Sequence, residues 1–399
     1  MQPMDIIIPV FVFAFGACIG SFLNVIIYRL PRGQSIVFPG SHCPACGRAI
    51  SWRDNIPIVS WLVLRGRCRR CGVAISPRYI LIEAVTAAGL TGLYLWYFVL
   101  EMRFGMGPLA SDWLTLLAHA GLWAGLLACA ATDVEHWTIP LEVCWFVSLL
   151  GAAAATIDPP SAAVLPRVGP TVGAMSIAAG VGLIASALLQ RHGLLQPSFI
   201  DAAETVKCER PDSAGKDNGR IIAVAAGKEH GVSPRREILR EVLFLAPAIG
   251  LAAAVWLVVR LVPAADHWTG RLSDPTQLGR FAHHFVGFQA ALAGYLAGGL
   301  VVWGMRILGT LGFGKEAMGL GDVHLMAAVG AVTGWIVPTL AFFIAPVFGL
   351  LWAVKLLATG KQRELPFGPW LAMASCLVML VYDGIIDIFT TALRPGAGL

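Results

Sequence analysis

The strongest constraint in this sequence is a series of apolar runs, each near the ~20 residues that a helix needs to cross a bilayer. They lie at about 6–28, 80–100, 113–132, 141–157, 170–190, 242–262, 284–308, 335–357 and 368–392, with a shorter one at about 323–334. Gly330, Gly334 and Pro338 interrupt what would otherwise be one over-long helix, so the runs predict ten spanning helices, or nine if 323–334 does not cross. Composition agrees, since 57% of the 399 residues are hydrophobic, 13% are charged and the mean hydropathy is +0.72. A soluble domain carries about 25% charged residues. The chain is therefore expected to be an all-α polytopic membrane protein, with lipid as its solvent. The run at 6–27 is longer than a signal core and no basic stretch precedes it, which predicts a retained first helix (residues 1–28). The net charge of +5 calls for no nucleic-acid partner.

Lysine and arginine collect on the cytoplasmic side of membrane proteins. With the N-terminus outside, nine arginines fall in a cytoplasmic segment at 29–79 and nine lysines and arginines in a second at about 191–241. Arg306, Lys315, Lys355, Lys361 and Arg363 fall on the same side, and only six basic residues remain outside. The second segment contains a hydrophilic stretch, about 200–234, that reads as a flexible cytoplasmic insert. The stretch 263–283 reads as an external loop, and residues 80–399 as one multi-helix membrane domain.

Four of the nine cysteines form two pairs, Cys43/Cys46 and Cys68/Cys71, each followed by glycine. The spacing predicts a four-thiolate zinc site, and because cysteine fills all four positions the metal is expected to be structural. A reducing cytosol disfavours two disulfides or a redox pair. A loop this short has little apolar core without the metal, which makes 29–79 a small zinc-knuckle subdomain. Cys18, Cys129, Cys144, Cys208 and Cys376 are scattered, four of them in apolar helices, as packing residues.

Two aspartates stand at the edges of apolar segments. Asp133 closes one run and is followed by Ile139-Pro140, and Asp322 opens another behind Gly319 and Gly321. Both fall at cytoplasmic helix ends. Charge at a bilayer edge is costly and usually functional. Two carboxylates held a few ångströms apart share a proton, so one can take a proton from water while the other polarises a peptide carbonyl. Glycine at 319 and 321 would let an extended substrate backbone lie close to Asp322. Competing readings exist for each residue. Asp322 before Val323 also fits a helix N-cap, and Asp133 at a helix end also fits an interfacial, solvated charge. Glu83, within the second run near the cytoplasmic side, rivals the aspartates as a catalytic carboxylate and equally fits a structural partner for an arginine such as Arg78. His136 and His324, beside the aspartates, make a metal site conceivable, although neighbours on one helix point in different directions. Asp383 and Asp387 fall toward the outer end of the last run.

The run Gly20-Ser21-Phe22-Leu23-Asn24-Val25 through Pro31 resembles the opening of the prepilin peptidases, or type IV leader peptidases. So do Asp54-Asn55-Ile56-Pro57, Ile75-Ser76-Pro77-Arg78-Tyr79 with Glu83, Asp133 with Ile139-Pro140, the Gly-x-Gly-Asp at 319–322 and Pro366-Phe367-Gly368-Pro369. The resemblance implies an intramembrane aspartyl endopeptidase of the bacterial inner membrane, with Asp133 and Asp322 as its catalytic pair. It implies substrates that are precursors of type IV pilins and of the pilin-like subunits of type II secretion. Their basic leader is cut after glycine on the cytoplasmic side, before a hydrophobic helix. Many four-cysteine members also N-methylate the new terminus with S-adenosylmethionine, for which no glycine-rich nucleotide-binding fingerprint is found in this chain. Departures are His324, where relatives commonly carry lysine, Glu135 and His136, where relatives vary, and about two additional spanning segments together with the insert. The alternatives are cleavage without methylation, or a non-proteolytic transporter or scaffold with a zinc-knuckle interaction domain.

Overall fold

In a computed structural model, which describes residues 4–198, 234–272, 279–358 and 366–392, the regular structure is helical. The first helix, α1, spans Met4–Arg29 and a single 3₁₀ turn, Leu30–Arg32, stops at Gly33. A compact segment follows, with one 3₁₀ turn at Trp52–Asn55 and the short α2 at Val59–Val63. The larger helices are α3 Arg78–Tyr94, α4 Leu109–His136, α5 Leu141–Ile157, α6 Pro170–Arg191, α7 Pro234–Leu261, α8 Pro263–Leu272, α9 Arg280–Phe313, α10 Leu320–Thr333, α11 Ile336–Ala358 and α12 Gly368–Ala392. Among the described residues eight helices are long and apolar enough to cross a membrane, and α5 and α10 are shorter apolar helices. The protein is a multi-pass membrane protein.

The two short helices explain the count. With 14 residues, α10 is about 21 Å long at ~1.5 Å per residue, well short of a ~30 Å hydrocarbon core. It is buried by protein along its length, from Asp322 through Thr333 with only His324 partly exposed. Of the three residues expected to break the 323–357 region, only Gly334 does so, at φ +79°. Gly330 lies inside α10 and Pro338 in the first turn of α11, where its missing N–H costs nothing.

Lipid offers no hydrophobic drive between helices, so close backbone approach over small residues binds them. Gly16 and Gly20 of α1 lie one turn apart, and a Cβ on either would fall 2.8 and 2.6 Å from the Cα atoms of Ala87 and Glu83 on α3. Gly294 and Gly298 of α9 repeat the spacing against α10, where they meet the carbonyls of Gly330 and Met326. This contact fixes α10 in the middle of the protein and points its N-terminus, with Asp322, toward the end of α4.

One expectation changes, and two fall outside the described residues. The 263–283 stretch contains α8, begun by a proline at its first position, and 273–278 lie outside the described residues. The insert expected at 200–234 also lies outside them, apart from Pro234, where α7 starts. Cys208 is outside as well, while Cys129 and Cys144 are buried with sulfurs 4.0 Å apart between α4 and α5.

Candidate active site and thiolate cluster

Asp133 sits one turn before the end of α4, 7% exposed. The helix stops because Trp137 turns left-handed, at φ +57°, and returns its N–H to the Asp133 carbonyl at 2.9 Å. The chain then runs through Ile139 and Pro140 into α5. From the other side α12 begins at Gly368, whose N–H donates to Oδ2 of Asp133 at 3.0 Å. A Cβ on Gly368 would stand 2.7 Å from that oxygen and 3.3 Å from Cδ1 of Ile139. Only glycine brings the amide this near.

Asp322 is likewise 7% exposed. Helix α10 starts two residues before it, with Gly319 as N-cap, so Asp322 is the third helical residue and not the cap itself. From this third position its carboxylate is placed beside the Gly319 backbone, as in the reaching-back half of a capping box. The two aspartates are near enough for the charge of Asp133 to act on Asp322. Ile139 wedges between their supports, since it also meets Gly321, where a Cβ would fall 2.8 Å from the isoleucine Cβ. Gly321, expected to admit a substrate backbone, is therefore filled from inside by Ile139. Gly319 keeps open space, with only Asp322 Oδ2 and the Gly321 nitrogen within 4 Å of where its Cβ would be.

The competing acids and histidines have other partners. Glu83 accepts the Ile58 N–H at 2.7 Å and so ties the cysteine segment to α3. Arg78 pairs not with Glu83 but with Glu135, just beyond Asp133. His136 Nε2 is 3.3 Å from Arg32, and the His324 ring packs on Trp145. The two roots of the cysteine segment, Arg32 and Arg78, thus both grip the end of α4. A four-residue metal site of Asp133, Asp322, His136 and His324 does not form among the described residues. Asp383 binds Arg103 at 3.2 Å and the Phe104 N–H at 3.0 Å, well away from the pair.

The four cysteines do converge. Their sulfurs all lie within 4.8 Å of one another. Cys43 and Cys71 sulfurs are 3.8 Å apart, the ~3.8 Å edge of a tetrahedron with metal–sulfur bonds of ~2.3 Å. The two knuckles are built alike. In each, the first cysteine's N–H bonds five residues on (Arg48 O, Val73 O, both 2.9 Å), and a left-handed glycine (Gly47, Gly72) returns its N–H to that cysteine's carbonyl. Backbone N–H groups of Cys71 and Arg70 bring the Cys68 thiol down to about 6, so it is a ready thiolate. The cluster can hold a metal ion.

Residues 14–98 match the bacterial peptidase A24 N-terminal domain, and residues 254–354, which include Asp322, match the type IV leader peptidase family. Asp133 lies between the two matched stretches. A prepilin leader peptidase/N-methyltransferase of Myxococcus xanthus (strain DK1622) is 46% identical over 147 residues, 37% of this chain and 40% of the relative. One from Klebsiella pneumoniae is 39% identical over 177 residues, covering 42% of this chain and 70% of the relative. One from Aeromonas hydrophila is 25% identical over 407 residues, 95% of this chain and 93% of the relative. No solved structure matches the chain. The paired buried aspartates, the four-cysteine cluster and these matches lead to one conclusion: the chain belongs to the type IV leader peptidase family.

Proposed function

We propose that this protein is a membrane aspartyl endopeptidase that removes the leader of type IV prepilins and of type II secretion pseudopilins. The observation that carries this reading is the convergence of Asp133 and Asp322, each at a helix end, with Ile139 packed against both Gly368, which holds Asp133, and Gly321, which precedes Asp322. The pair shares a proton. The ionised member takes a proton from a water molecule as the water attacks the scissile carbonyl, and the protonated member donates a hydrogen bond to that carbonyl oxygen. The tetrahedral intermediate collapses as the leaving amine receives a proton from the pair, with no covalent enzyme intermediate. Residues 29–79 form a cytoplasmic subdomain in which Cys43, Cys46, Cys68 and Cys71 would hold zinc as a structural staple. The concentration of arginine in that segment supports an N-terminus outside the bacterial inner membrane and a site at its cytoplasmic face.

The relatives' names join peptidase to N-methyltransferase, and we extend both activities to this chain, with S-adenosylmethionine as methyl donor. A synthetic prepilin incubated with the purified protein, with and without S-adenosylmethionine, tests both by mass spectrometry. Loss of the leader that is absent in Asp322→Asn establishes the peptidase. A further ~14 Da on the mature fragment, one methylene, establishes the methyl transfer. An uncut substrate with a correctly inserted protein would sink the reading and favour a transporter or scaffold.

A further inference from the structure

The loop that carries Gly319 and Asp322 has no regular structure between the end of α9 and the start of α10, from 314 to 319. A single guanidinium spans it. Arg306 of α9 is 2% exposed, and it donates from Nη1 to the Met318 carbonyl at 2.8 Å. The same nitrogen is 2.8 Å from Oε1 of Glu316. Its Nε donates to Oε1 of Glu241 on α7 at 2.7 Å, and Glu241, also 2% exposed, takes a further bond from Trp303 Nε1 at 3.3 Å. Two of the acceptors of Arg306 are therefore in the loop, and another is on a separate helix that fixes the guanidinium plane. The positive charge also acts on Asp322.

A surface lysine or arginine would satisfy topology alone. Burying a guanidinium against lipid-embedded helices is expensive, and it persists where its planar fork does work that a point charge cannot. We propose that Arg306, oriented by Glu241, is a positioning residue that holds the Gly-x-Gly-Asp loop and so sets where the Asp322 carboxylate stands. This rests on the reading of Asp322 as one of the two catalytic carboxylates, and it adds α7 to what shapes the site.

Removing Arg306 alone would leave Glu241 buried and uncompensated, which can unfold a protein for reasons unrelated to the loop. The informative variant is the double substitution Arg306→Met/Glu241→Met, compared with Arg306→Lys and with the full-length wild type in nanodiscs. Hydrogen exchange read over residues 314–322 is expected to accelerate at least ~tenfold in the double variant, the loss of one hydrogen bond to a charged group, with α3 and α12 unchanged. With a synthetic prepilin, kcat is expected to fall roughly 100-fold, the cost of a misplaced catalytic group, while KM stays within about twofold of wild type, the mark of lost transition-state stabilisation. Arg306→Lys, which keeps the charge and one donor, is expected to recover part of kcat. Unchanged exchange over 314–322 in a folded double variant would overturn the proposal, as would a fall in rate carried by KM alone. Faster exchange together with an uncut substrate in the wild type would leave Arg306 as the holder of the loop and remove the peptidase reading instead.

Discussion

Gly368 donates its backbone N–H to Asp133 Oδ2 at 3.0 Å, across 235 residues of sequence. The bond ties the start of the last helix to the end of the fourth and occupies one carboxylate oxygen. Gly368→Ala is expected to drive a methyl into that oxygen and into Ile139, since a Cβ there would lie 2.7 and 3.3 Å from them. Displacement of Asp133 by a few tenths of an ångström or more should lower kcat by one to two orders of magnitude, roughly 10–100-fold. Insertion should be unaffected, because the α12 face whose Ser375 hydroxyl meets the Met326 sulfur of α10 at 3.8 Å is untouched. Leader cleavage measured beside membrane-extracted protein levels checks this.

Asp133→Asn and Asp322→Asn keep shape and volume but remove the ionisable oxygen. Each is expected to lower cleavage by about 10²–10⁴-fold, the range that general acid–base groups contribute. The double variant should be little worse than either single one, because the two act as a unit. Full activity in either single variant would exclude that residue from the pair, and cleavage kinetics against the same prepilin decide it.

The spanning helices were legible because lipid demands long apolar runs, and the cysteine cluster because thiolate spacing is local. The aspartates were legible as charges at apolar edges. The groups that hold them were not. The Gly368 donor is a backbone atom with no side-chain signature, and its motif gave a family likeness without a contact. Gly321 looked like room for substrate, whereas Ile139, from a loop some 180 residues earlier, fills it. Arg306 counted as one more charge on the basic side of the membrane, although it is buried between α7 and the 314–319 loop. In each case the missing information was a tertiary neighbour distant in sequence, which periodicity and local spacing cannot carry.

Glu135 and His136 had no interpretable signal, and their partners supply one. Arg78 opens α3 and Arg32 follows α1, so the pairs with Glu135 and His136 bind both roots of the cysteine segment to the turn after Asp133. The Arg78 and Glu135 side chains are 20% and 33% exposed, so the pair should contribute no more than about 1 kcal/mol to stability. Glu135→Gln and Arg78→Met are each expected to leave thermal stability nearly unchanged. Each should weaken cleavage by a modest factor, about 3–10-fold by the same energy scale. The swapped pair Arg78→Glu/Glu135→Arg should recover much of the loss, and a double-mutant cycle on kcat/KM measures the coupling.

The cysteine segment should depend on its metal, and on pH in a fixed direction. Its apolar side chains are largely outward, with Phe38 76% and Trp52 73% exposed, so the four thiolates supply the link between the two knuckles. Cys68→Ser is expected to lower the zinc content of the purified protein and to raise proteolysis within 33–77, while the membrane helices stay intact. The Cys68 thiol, held at about 6 in the folded segment by the Cys71 and Arg70 amides, has an ordinary value of 9.0. A depressed folded value contributes stability that is complete above the ordinary value, declines as pH falls and is gone below about 6. Protons compete with the metal for the same sulfurs, so zinc retention against a fixed concentration of chelator should fall progressively as pH is lowered from about 9 to about 6. Retention that persists well below that pH, or a Cys68→Ser protein with full zinc, would mean that the four sulfurs are not the metal's ligands.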